Sequence, residues 1–94
     1  MQFNKLQSKL WANMLELIKK FRKEEINYSE LIYRLEGALD AGDYQNEELV
    51  KQWYDYWTPL EIEYVNKGNN VSIGDINGYL SDMELFLESV SMGN

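Results

Sequence analysis

Apolar residues along this chain recur at three- and four-residue steps, the spacing that lines one face of a helix. Phe3, Leu6, Leu10, Met14, Leu17, Ile18 and Phe21 form the first such stripe, with Trp11 on its flank, and predict an amphipathic helix over about 4–23. Asn27-Tyr28-Ser29-Glu30 then reads as an N-cap followed by glutamate at the third helical position. The helix it opens buries Tyr28, Leu31, Ile32, Leu35, Ala38 and Leu39 and is expected to stop at Gly42. Gly37 lies inside it at a cost of about 1 kcal/mol relative to alanine, explained either by close helix approach or by simple tolerance.

The third stripe is aromatic. Trp53 and Trp57 share a face with Leu49, Leu60 and Tyr64, and large aromatics supply the apolar area around which a core assembles. The tryptophans are expected in the core, with Tyr54 and Tyr56 at its boundary; the competing reading is a ligand-binding aromatic box. This helix is predicted from about 46 to Trp57, because Thr58-Pro59-Leu60-Glu61 matches a capping box with proline at the first helical position. A break is therefore expected there, with Thr58 as N-cap and a short helix over 59–67 ended by Gly68. A β-hairpin pairing 60–65 with 69–73 is the rival, disfavoured because an isolated two-stranded hairpin is only marginally stable.

Ser72-Ile73-Gly74-Asp75 repeats the capping pattern with aspartate in place of glutamate. The last stripe follows: Ile73, Ile76, Leu80, Met83, Leu87 and Val90, widened by Tyr79 and Phe86. It is too short to argue for a coiled-coil seam, so it is read as core. The fold class is all-α, a single helical domain over 1–94 built as a compact bundle of four to five helices.

Composition narrows the chemistry. With no histidine and no cysteine, the commonest acid–base group, the thiolate nucleophile and the usual zinc ligands are all missing. The carboxylates Asp55, Glu61 and Glu63 lie among aromatics, superficially like a glycosidase pair, but no nucleotide, hydrolase or metalloprotease motif accompanies them. The expectation is that the chain is not an enzyme and has no cofactor and no metal site. Asp40 to Glu48 is rich in oxygen ligands yet lacks EF-hand spacing, so capping by Asp, Asn and Glu accounts for it. The opening segment is broken by Lys9, Asn13 and Glu16, leaving no signal-like or membrane-spanning run, and a soluble cytoplasmic protein is expected.

Charge is distributed unevenly. Through Lys23, six basic residues face Glu16 alone, giving +5; from Glu24 onward, fifteen acids face three bases, giving −12, and the two sum to the net −7. Most of that surface repels nucleic acid and attracts a basic partner. The basic turn Lys19-Lys20-Phe21-Arg22-Lys23 suits the C-terminal dipole of its helix, and contact with the acidic remainder explains it equally well. Glu36/Asp40 and Glu84/Glu88 are like-charged pairs at i, i+4, mildly destabilising to an isolated helix. A merely solubilising acidic face is the plain alternative to a docking surface. If docking is the role, its expected members are Glu36, Asp40, Asp43, Glu47 and Glu48, with Tyr44 and Tyr54 as aromatic anchors.

The run Leu17-Ile18-Lys19-Lys20-Phe21 with Glu25-Ile26-Asn27-Tyr28, then Leu31 and Leu35-Glu36, resembles the opening of small helical bacterial immunity proteins. Trp53, Trp57 and Leu60-Glu61 continue the likeness, which spans roughly 16–65 and consists mainly of amphipathic spacing. The paired tyrosines followed by proline of the colicin-nuclease immunity proteins are replaced here by Tyr54-Asp55-Tyr56-Trp57-Thr58-Pro59. The resemblance implies a protein–protein interaction module, an immunity or antitoxin-like inhibitor of a basic partner such as a toxin, acting as a monomer or homodimer with no nucleic acid and no membrane. Two alternatives stand beside it: a homo-oligomeric structural or regulatory protein with no toxin partner, and a small-ligand binder in the Trp/Tyr cluster.

Overall fold

A computed structural model, which describes residues 2–93, turns the apolar stripes into four helices: α1 Lys5–Arg22, α2 Tyr28–Gly42, α3 Glu47–Lys67 and α4 Ile73–Met92. One 3₁₀ turn, Gly68–Asn70, separates α3 from α4, and no strand occurs among the described residues. Side-chain ties fix the topology. Gln7 Nε2 donates to Gly42 O while the Phe21 and Tyr28 rings meet at 5.5 Å, so α1 and α2 are antiparallel. Tyr54 reaches Glu36 and Tyr28 reaches Leu60, which runs α3 back along α2. Tyr56 on Phe86, and Lys67 on Asp75, run α4 back along α3. Trp11 on Leu87, and Arg22 on Asn77 and Glu84, close the ring of α4 against α1. The result is an up-and-down four-helix bundle in which α1 and α3 are diagonal and meet through the core, where Trp53 Nε1 points at Met14 Sδ, 3.3 Å away.

The caps mostly follow the sequence. Asn27 Oδ1 accepts from the Glu30 amide at 2.9 Å, although Glu30 turns to Arg34 (3.4 Å) rather than completing a box. Ser72 and Asp75 form a full capping box. Asn4 and Gln7 form another that the stripe reading did not single out. At the end of α2 the left-handed residue is Asp43 (φ 47°, ψ 55°), not Gly42. Gly42 is glycine for a different reason: a Cβ there would run into the Tyr44 ring. Gly37 faces open space, so close approach does not explain it.

The expected break at Thr58-Pro59 is absent: α3 runs through, with Pro59 in its interior, so Thr58 is not an N-cap and no second short helix begins there. Proline in a helix interior removes the bond to the carbonyl four residues earlier, here that of the exposed Asp55, and costs about 3 kcal/mol. Against that stands the buried face. Trp53, Trp57 and Leu60 lie on both sides of the proline, and truncating one large buried aromatic alone costs about 3–5 kcal/mol. Swinging the chain at residue 58 would pull Leu60 out of the core and break the 2.7 Å bond from the Tyr28 hydroxyl to Leu60 O. The continuous stripe therefore overrides the local capping signal. The helix ends instead at Gly68, whose φ of 60° with ψ −135° is strained for any residue with a side chain.

The core draws on all four helices, and all three tryptophans are in it. Trp11, expected on a flank, is 1% exposed: α4 covers that side, and the indole N–H donates to Leu87 O at 2.9 Å. Phe3, Tyr44 and Phe86 pack their rings around it. Two members of the expected stripes lie outside, Leu6 at 56% and Ile73 at 52% exposure, each in the first turn of its helix where the bundle tapers. Ile76, Leu80, Met83 and Leu87 are buried by this chain's own helices. Arg22 is the main cross-helix polar clamp: it donates to Glu84 Oε1 (2.6 Å), Asn77 and Ser81. The basic end of α1 thus touches the acidic remainder directly.

Candidate functional site

Helical periodicity places Leu35, Ala38, Leu39 and Gly42 of α2 in the core and leaves Glu36 and Asp40 on its flank. On α3, Tyr54 follows the buried Trp53 and faces that flank. Its ring stands edge-on to Trp53 (5.1 Å) and Trp57 (5.7 Å), and its hydroxyl donates to Glu36 Oε2 at 2.9 Å. Burial pushes the Tyr54 hydroxyl up to about 12, helped by the bond to Glu36 and by the charges of Glu36, Asp40 and Glu61. Three carboxylates thus gather around one tyrosine whose ring is locked between tryptophans. The repulsion within the Glu36/Asp40 pair is offset where Glu36 accepts the hydroxyl proton.

Glu61 is the member that sequence reasoning assigned elsewhere. It lies seven residues after Tyr54, on the same side of a continuous helix, but the expected break at Thr58 assigned it to a cap. Asp43, Glu47 and Glu48 sit at the connection between the same two helices. Asp43 is the C-cap of α2, and Glu47 and Glu48 occupy the first turn of α3, behind the Asn46 cap, where negative charge favours the helix dipole. Residues 36–61 hold seven acids (Glu36, Asp40, Asp43, Glu47, Glu48, Asp55, Glu61) and one base, Lys51, a balance of −6. Every ion pair among the described residues lies outside this stretch: Arg22–Glu84, Arg34–Glu30, and Lys67 with Glu63 and Asp75.

Tyr44, expected as a second anchor, is turned inward. Its ring packs on Phe3 and Trp11, its hydroxyl donates to Gln7 O at 2.9 Å, and burial raises its pKa to about 12. It ties the start of α1 to the end of α2, which leaves Tyr54 as the aromatic of the acidic face. The Trp/Tyr cluster is likewise committed to packing. Trp53 and Trp57 stack at 5.7 Å, are 0% and 4% exposed, and direct their N–H groups at Met14 Sδ and Ile32 O.

The three carboxylates near the aromatics do not converge. Asp55 is exposed, Glu61 faces Tyr54, and Glu63 turns toward Tyr28 and Lys67. The shielded Oε2 of Glu63 makes no hydrogen bond; the Lys67 ammonium at 3.4 Å is its ion-pair partner. Among the described residues no group of three or more Asp or Glu is arranged to hold a metal ion, and no helix is long and apolar enough to cross a membrane. In comparisons with known proteins, no family model, no curated protein and no solved structure matches this chain.

Proposed function

We propose that this protein acts by binding a basic protein partner through the acidic face of α2 and α3, as an immunity or antitoxin-like inhibitor does. The observation that carries the reading is the segregation of charge: a −6 stretch over residues 36–61 contains no ion pair, while bases elsewhere in the fold are paired to acids. Unneutralised like charge costs stability when nothing binds it and speeds the approach of a partner of opposite sign. Glu36, Asp40 and Glu61 around Tyr54 form the proposed centre, with Asp43, Glu47 and Glu48 extending it along the connection. Tyr54 is held rigid by the tryptophans, so its ordering entropy is already spent before a partner arrives. Inhibition would follow from occlusion, since a basic partner's own working surface is the part an acidic face covers.

The test uses the wild-type chain and the Glu36→Lys/Asp40→Lys variant as paired baits against an extract of the native host. A basic protein retained by the wild type and lost by the variant supports the reading; equal retention, or none, contradicts it. Self-association is the second reading. It is favoured by the exposed apolar residues Tyr79 and Leu85 of α4 beside the stacked Tyr56–Phe86 pair. Light scattering showing a concentration-dependent dimer with no retained partner would favour it.

A further inference from the structure

We propose that the groove between α1 and α2 binds a small amphipathic anion, an apolar ring or short acyl chain ending in a carboxylate. The groove encloses about 540 Å³, within the range of about 300–1,000 Å³ typical of small-molecule sites. The antiparallel register places Leu10, Gly37 and Ala38 toward one end and Lys20 with Arg34 toward the other, with Leu17 between. An apolar end opposed to a basic end fits a ligand with a hydrocarbon body and an anionic head.

Two further features point the same way. Gly37 sits in the middle of α2, where glycine costs about 1 kcal/mol relative to alanine, yet a Cβ built on it meets nothing within 4 Å. The missing side chain therefore serves no helix contact within the bundle; it keeps the groove open. The groove's charge also runs against the molecule's. Lys20 and Arg34 face one lining acid, Glu16, for a local balance of +1 in a chain of net −7. Lys20 is half-buried with no ion pair among the described residues, and Arg34 has only its exposed 3.4 Å contact to Glu30. An anionic head between them satisfies both. This site is separate from the acidic face and stands or falls without it.

The experiment titrates the isotope-labelled full chain with sodium octanoate and sodium phenylbutyrate, using the matching alcohols as uncharged controls, and follows backbone amide shifts. Expected are saturable shifts confined to residues 10–20 and 33–38, with the acids binding at least about fivefold more tightly than the alcohols. Gly37→Leu should abolish the shifts while circular dichroism and thermal unfolding show an intact helical fold. Lys20→Met with Arg34→Met should bring acid and alcohol affinities together. Any of four results overturns the proposal: no saturable shift at millimolar ligand; equal binding of acid and alcohol by the wild type; shifts centred on Tyr56 and Leu85; or a change of oligomeric state in Gly37→Leu, which would make a second copy the occupant.

Discussion

Thr58→Ala separates two accounts of the third helix by the sign of its effect. In the structure Thr58 is an exposed interior residue of α3 and its side chain makes no hydrogen bond. Alanine is then the better helix former by roughly 0.5 kcal/mol, and no packing is lost. Were Thr58 the N-cap of a separate helix, the same change would remove a cap and cost about 1 kcal/mol. The two outcomes differ by about 1.5 kcal/mol. With a urea m-value of about 1 kcal/mol per molar for a small domain, the midpoint should rise by roughly half a molar in one case and fall by about one molar in the other. Tryptophan fluorescence is the natural probe, since all three indoles are in the core. A midpoint that falls with m unchanged would refute the continuous helix, and with it the placement of Glu61 beside Tyr54.

Trp57→Ala should cost about 3–5 kcal/mol in the same assay, because the ring is stacked, buried and hydrogen-bonded to Ile32 O. The two α2 glycines should respond with opposite signs: Gly42→Ala destabilises by about 1–3 kcal/mol as its Cβ displaces Tyr44, and Gly37→Ala stabilises by up to about 1 kcal/mol, both read from urea midpoints. Alkali should unfold the protein earlier than acid–base chemistry elsewhere would imply. Tyr28, Tyr44 and Tyr54 all have folded-state pKa values raised above the unfolded value near 10, so each binds its proton more tightly when folded. Their stabilisation is complete below about pH 10 and is lost as pH climbs toward the folded values near 12, a loss visible in unfolding curves at stepped pH. Tyr44→Phe should flatten part of that loss, having removed the bond to Gln7 O.

Periodicity made α1, α2 and α4 legible, because each stripe is long and each start carries Asn or Ser as a cap. It could not say which neighbour covers a flank. Trp11 looked peripheral on α1 alone and became central only when α4 packed across it, 76 residues away in sequence. The Thr58-Pro59 signal was read correctly as a local preference and then lost to burial of Trp57 and Leu60 on either side. Of the acidic face, Glu36 and Asp40 were visible as an i, i+4 pair. Their meeting with Tyr54 and Glu61 depends on the angle at which α3 returns along α2, which no local pattern encodes. Tyr44 and Tyr54 are alike in the sequence. The fold separates them, since one follows Gly42 and drops into the space a Cβ would fill, while the other rides the flank of the tryptophans.

The most direct test of the acidic face is the association rate of a retained basic partner with wild type and with Glu36→Lys/Asp40→Lys, measured at low and high salt. Neither carboxylate is in an ion pair, so the reversals should leave the fold intact by circular dichroism. The account predicts an on-rate at least about tenfold slower for the variant at low salt, a shallower salt slope, and convergence with the wild type once salt screens both. Equal on-rates with equal salt slopes would contradict it and leave the −6 stretch a solubilising surface.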